Sequence, residues 1–148
     1  MRQFFQGDII VGGGISTGQA VLASQVMGAD YAYLGTRFIT TTESMAQQEY
    51  KQMIVDSGGD DIVCSDSITG VKANWLKNSL INGGYDLANM PSASNIDFLA
   101  AAGDAKRWKD IWAAGQGVGA INSITSISDL VDELEGEYNA ALQKVKNV

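Results

Sequence analysis

The 148 residues contain no histidine, one cysteine and one proline. Without imidazole, Ser-His-Asp triads, His-mediated acid–base steps and His metal ligation are excluded for these residues. With Cys64 alone, neither an intrachain disulfide nor a multi-thiolate zinc site can form, so no metal site is expected. Positive charge is also scarce: Lys plus Arg number 10 against 17 Asp plus Glu, a net charge of −7. That balance disfavours polyanions, so neither nucleic acid nor an anionic membrane surface is an expected partner. No stretch approaches the roughly 20 apolar residues of a membrane span. The opening Met1-Arg2-Gln3-Phe4-Phe5-Gln6-Gly7 does not read as a secretory leader, and a soluble cytoplasmic protein is expected.

What the chain does have is apolar residues, 45 % against 18 % charged, enough for one ordinary core. Glycine is in excess, 17 of 148, where an average chain of this length would carry about ten. The glycines cluster at Gly12 to Gly14, Gly58-Gly59, Gly83-Gly84 and Gly115 to Gly119. Clustered glycine marks backbone that turns tightly or is approached closely.

Asp8-Ile9-Ile10-Val11 reads as a strand buried on both faces of a parallel sheet, stopped by three glycines. Ser16 is placed to cap a helix, with Gln19 at capping-box spacing and Gly28 as its C-terminal stop. Asp30 to Leu34 is a second strand ended by Gly35, completing a right-handed βαβ unit. Beyond it, helices are expected over 43–57 (Ala46, Tyr50, Met53 and Ile54 on one face), 71–80 (Trp75, Leu76, Leu80) and 105–113 (Trp108, Ile111, Trp112). Asp61 to Cys64 is a short strand candidate, and 86–95 with Pro91 a surface loop. The clearest helix is the last, with Leu130, Val131, Leu134, Tyr138, Ala141, Leu142 and Val145 at spacings of three and four. One βαβ unit and one weak strand are too little sheet for an independent α/β domain. The fold class is therefore α/β but incomplete on its own, the C-terminal portion of something larger.

The strongest chemical signal is Ile10-Val11-Gly12-Gly13-Gly14-Ile15-Ser16-Thr17-Gly18. Glycines let backbone N–H groups converge on an anion, and a following helix start adds positive partial charge. It is neither the dinucleotide fingerprint, because Thr17 stands where a third glycine is needed, nor a Walker loop; a ligand-free tight turn is the alternative. Leu34-Gly35-Thr36-Arg37-Phe38 follows the next strand, so both turns should leave one edge of the sheet. In a (β/α)8 barrel the loops after the seventh and eighth strands share a phosphate there. Arg37 reads equally as a phosphate ligand or as a salt bridge locking the loop.

Gly13-Gly14-Ile15-Ser16-Thr17-Gly18 and Met27-Gly28-Ala29-Asp30-Tyr31-Ala32-Tyr33-Leu34-Gly35-Thr36-Arg37-Phe38 resemble the nitronate monooxygenase family. So do Ile68-Thr69-Gly70-Val71-Lys72-Ala73-Asn74-Trp75-Leu76-Lys77-Asn78-Ser79-Leu80 and Ile111-Trp112-Ala113-Ala114-Gly115-Gln116-Gly117-Val118-Gly119. The resemblance runs in family order from residue 8 to about 142. It implies a TIM-type barrel holding FMN that oxidises alkyl nitronates with O2 to a carbonyl compound and nitrite. This chain would supply about strands seven and eight and the helices after them. Gly13 and Gly14 would hold the FMN phosphate from one loop, and Leu34, Gly35 and Thr36 from the next; Gln116 would lie near the flavin. The family's catalytic base belongs to the earlier part of the barrel, so no catalytic residue is assigned here and the chain alone is expected to be inactive.

The expected organisation is a single partial domain, 1–148, with a phosphate-binding βαβ unit over 8–38 and a helical region over 43–148. A flavin enoyl-acyl-carrier-protein reductase fragment shares the two glycine turns and is the alternative within the class. A non-catalytic FMN- or phosphate-binding module is the alternative outside it. The tryptophans read as core anchors rather than ligand walls, and Cys64 as a small buried hydrophobe. Asp129, Asp132, Glu133 and Glu135 read as a solvated face. Unpaired strand edges predict self-association.

Overall fold

The computed structural model describes residues 1–90 and 110–147. The expectations for Pro91 and Trp108, and for the start of the 105–113 helix, lie outside them. The chain runs β1 (Ile10–Gly12), α1 (Gly18–Val26), β2 (Tyr31–Tyr33), α2 (Thr36–Ile39), α3 (Gln48–Val55), β3 (Ile62–Ser65), β4 (Ala73–Leu76), α4 (Lys77–Asn82) and α5 (Ile127–Lys146). Short 3-10 turns occupy Gly59–Asp61 and Gln116–Ala120.

The first unit is the expected βαβ. β1 and β2 are parallel, with Ile10 opposite Tyr31, Val11 opposite Ala32 and Gly12 opposite Tyr33. Gly28, at φ +98°, turns the chain out of α1 in a conformation that glycine adopts without strain. The helix is capped differently from the reading above. Thr17, not Ser16, is the N-cap, its Oγ1 accepting from the Ala20 N–H at 3.2 Å, while Ser16 is buried in the preceding turn. The strand is also not covered on both faces: Ile10 is 65 % exposed and Tyr33 69 %.

Helical periodicity over 71–80 is overridden by pairing. Ala73–Leu76 is a strand, antiparallel to β3, with Val63 opposite Trp75 and Cys64 opposite Asn74; only Lys77–Asn82 is helical. Residues 111–113 join this hairpin rather than a helix. Ala113 bridges Trp75, and the Leu76 N–H donates to the Trp112 carbonyl at 2.9 Å. Trp75 and Leu76 are buried in this pairing, and such tertiary context outweighs a short periodic pattern. Among the described residues, the region expected to be helical from residue 43 on thus also contains this hairpin. Cys64 is exposed, not buried, because its place in β3 faces it outward. The 43–57 helix shrinks to Gln48–Val55, with the Ser44 hydroxyl turning the chain by accepting from the Ala46 N–H.

Two clusters form the core: Ile54, Leu76, Ala114, Val118 and Ile121, and beside them Ile68, Trp75, Leu80 and Ile111. Trp75 is the core anchor expected, its Nε1 donating to the Ser65 carbonyl at 3.1 Å. Lys51 is buried, with Nζ donating at 2.8 Å to the carbonyls of Thr41 and Ser44, so its charge fixes the loop before α3. α5 is the long helix expected, capped by Ser126 and seated through Leu130, which is fully buried; Val131 and Val145 are exposed. Among the described residues, no helix is long and apolar enough to cross a membrane.

Candidate functional site: two glycine turns at one sheet edge

Because β1 and β2 are parallel, the turn after each leaves at the same edge of the sheet. After β1, Gly13 (φ +97°) and Gly14 (φ +70°) are left-handed, which side-chain-bearing residues adopt only with strain. Both are exposed, and a Cβ built on either would meet nothing within 4 Å. Gly35, after β2, likewise opens on empty space. Three glycines in two turns are therefore bare at the same edge. Ile15 and Ser16, both buried, pin the far end of the first turn. Leu34 is half-buried and starts the second.

The α1 N-terminus is occupied from within. Gly18 donates its N–H to Glu137 Oε2 of α5 at 2.7 Å, while Thr17 satisfies Ala20. A Cβ at Gly18 would overlap the Leu134 carbonyl and the Tyr138 nitrogen, so glycine is what lets the two helices touch. Tyr138 Oη closes the same contact by donating to Gln25 Oε1 at 2.7 Å. Positive partial charge at this helix start, expected to face the glycine turn, thus meets a carboxylate of the chain itself.

Arg37 is 3 % exposed and donates from Nη2 to Glu133 Oε2 at 2.6 Å. Of the two readings of Arg37, the loop-locking ion pair is the one formed. Glu133 stays on the exposed face of α5 expected for it and reaches Arg37 from there.

Residues 115–117 touch both turns. The Gly115 N–H donates to Thr36 Oγ1 at 2.8 Å. Two residues on, Gly117 sits against the first turn so closely that a Cβ would overlap Ser16 Oγ and lie 2.9 Å from the Gly14 carbonyl oxygen. Gln116 between them is exposed. The segment is anchored on both sides. Before it, the Ala114 N–H donates to the Asn74 carbonyl at 3.3 Å and Tyr50 Oη donates to the Ala113 carbonyl. Burial pushes the Tyr50 hydroxyl above its ordinary pKa of 10.0, so it stays protonated and donating. Its ring stacks on Trp112 at 5.1 Å. After it, Val118 is fully buried. Alternating glycines at 115, 117 and 119 were the available signal for close approach; their target was not readable from spacing.

A phosphate-bearing cofactor fits these residues. Bare, left-handed backbone with room where side chains would stand is the arrangement that admits an anion to N–H groups, and the Thr36 hydroxyl lies at its margin.

The chain is 29 % identical to a probable nitronate monooxygenase of Staphylococcus haemolyticus, over 93 % of this chain and 40 % of that one. Its fold matches a nitroalkane oxidase from Streptomyces ansochromogenes at TM-score 0.72 and 29 % identity, over 97 % of this chain and 43 % of that one. It also matches FabK from Thermotoga maritima at TM-score 0.75 and 22 % identity, over 97 % and 48 %, a likeness of fold alone. The chain therefore spans less than half the length of each. The model of the nitronate monooxygenase family matches residues 8–137. With that match over most of the chain, and a parallel strand pair delivering two glycine turns to one edge, the chain belongs to the nitronate monooxygenase family of oxidoreductases.

Proposed function

We propose that this chain provides the FMN-phosphate corner of a nitronate-oxidising flavin barrel, as about its seventh and eighth strands, and does not turn over alone. The observation that carries the reading is the cradle of Gly13, Gly14 and Gly35, all facing open space at one sheet edge. Gly13 and Gly14 would hold the phosphate from one side, and Leu34, Gly35 and Thr36 from the other, within the βαβ unit over 8–38. Bound FMN would supply the electron transfer between an alkyl nitronate and O2 that yields a carbonyl compound and nitrite. The residues here bind and orient it. No histidine is available to move the substrate's proton, which supports a role without turnover and favours, as the second reading, a non-catalytic FMN-binding module. Both readings share the cradle.

Titration of the purified chain with FMN, followed by flavin fluorescence with riboflavin as the phosphate-free control, tests it. FMN should bind at least tenfold tighter than riboflavin, and Gly14→Val should abolish the difference by filling and straining the turn. Equal binding of the two flavins would overturn the phosphate assignment.

The open sheet supports a further expectation. Among the described residues no third strand pairs with β1 or β2, and Ile10, Tyr31 and Tyr33 are exposed. Unpaired strands with apolar faces recruit other strands, so the chain should self-associate. Light scattering should show species above the monomer mass, reduced by Ile10→Lys; a clean monomer would contradict it.

A further inference from the structure

We infer that residues 115–117 form a third wall of the cradle, a strap that sets the spacing of the two glycine turns and aims the Thr36 hydroxyl at the bound anion. The inference rests on the phosphate reading above and adds to it residues that no glycine turn contains. The strap touches both turns within two residues: Gly115 N–H on Thr36 Oγ1, and Gly117 on Ser16 and Gly14. The two ends of the strap lie at most about 7 Å apart, so it fixes the spacing of the two turns it holds.

The hydrogen bond to Thr36 has a directional consequence. A hydroxyl has one proton and two lone pairs. With Gly115 donating into the oxygen, a lone pair is taken and the hydroxyl's own proton is left to donate elsewhere. An anion at the cradle needs a donor, so the strap selects the useful rotor of Thr36. The strap is itself rigid, because Ala114 is paired to β4, Tyr50 holds Ala113, and Val118 is locked in the core. Gly117 is required for a steric reason alone: any Cβ there would drive the strap off Ser16 and the Gly14 carbonyl. Gly119, in the same 3-10 turn, is different. A Cβ there would stand 3.6 Å from the Gly59 nitrogen, an ordinary contact.

The test compares Gly117→Ala with Gly119→Ala in the FMN and riboflavin titrations. Gly117→Ala should weaken FMN at least tenfold and leave riboflavin unchanged, while Gly119→Ala should behave as the parent chain. Thr36→Ser should keep the preference for FMN and Thr36→Val should lose it. Hydrogen exchange of the Gly115 amide gives a readout without ligand: protected in the parent and in Thr36→Ser, faster in Thr36→Val. If the parent prefers FMN but Gly117→Ala and Thr36→Val retain that preference, the strap is overturned and the cradle stands. If the parent shows no preference, the cradle falls and the strap with it. Should Gly117→Ala fail to fold, Thr36→Val and the Gly115 exchange rate decide alone, and an unchanged rate overturns the inference.

Discussion

In the β3–β4 hairpin, Trp75 and Leu76 are 6 % and 0 % exposed; in the β1–β2 pair, Ile10 and Tyr33 are 65 % and 69 % exposed. The two sheets have the same strand count and similarly apolar sequences. Their surroundings differ. The hairpin recruits residues 111–114 as a further extended segment and packs on α3, through Ile54, and α4, through Leu80. The parallel pair has α1 against it, no third strand pairs with it among the described residues, and Ile10, Tyr31 and Tyr33 are exposed. One sheet is completed by its own chain, while the one that carries the glycine turns is left open. The buried apolar residues around the hairpin are thus a larger share of the core than those of the parallel pair, whose exposed face can be altered with little effect on folding.

The sharpest break of that comparison is a paired truncation. Leu76→Ala should cost about 2–5 kcal/mol, the usual range for emptying a buried leucine position. Ile10→Thr, on the open sheet, should stay within about 0.5 kcal/mol. Urea unfolding midpoints of the two variants check this; comparable losses would show that the open sheet is covered in solution.

Gly18→Ala comes next. The Cβ would collide with backbone of α5, which cannot move aside as a flexible side chain could, and a loss of about 1–3 kcal/mol is expected from overpacking. Thermal unfolding measures it, and an unchanged midpoint would mean that α1 and α5 are not held as described.

The smallest effect is electrostatic. Glu43 accepts from the Ile127 N–H at the start of α5, and also from Thr42, and these bonds hold its carboxyl below the ordinary 4.5. Asp30 is likewise held below 3.8 by the Ile9 N–H and then by Arg2. Since both folded values lie below the unfolded ones, the stabilisation is complete above the unfolded values and is lost as the pH falls through 4.5 and 3.8 toward the depressed folded values. Both groups are exposed, so solvent screens the effect. Unfolding temperature against pH should decline over that acidic range, with a shallower decline for Glu43→Gln than for the parent.

Much of the βαβ unit was legible because its signals are local. β-branched residues before a glycine run, a hydroxyl cap, and Gly28 in left-handed geometry each act within a few residues. Thr17 rather than Ser16 became the cap, since Ser16 was drawn into the buried turn and only Thr17 was free to reach Ala20. Half of the hairpin was legible, since Asp61 to Cys64 reads as a strand and Ile62–Ser65 is one; its partner was not. Val71 to Leu80 has helical spacing, and the partner that makes Ala73–Leu76 a strand lies ten residues upstream, with a second contributor at 111–114. Cys64 followed the same error, because its exposure depends on which face of β3 the pairing turns outward. At the site, the glycines and Thr36 could be singled out from spacing. Arg37 remained divided between two roles until Glu133, 96 residues away, took its guanidinium.

By itself, then, the sequence determined what this chain lacks and where its backbone must be bare: no histidine for acid–base work, and Gly13, Gly14 and Gly35 after two successive strands. These are properties of residue type and near neighbours. Tertiary structure alone settled that residues 115–117 pack on both turns, that Glu137 meets the start of α1, and that one sheet is more covered than the other. Those outcomes depend on contacts between residues tens of positions apart, which backbone hydrogen bonding and side-chain volume select together and no local pattern encodes.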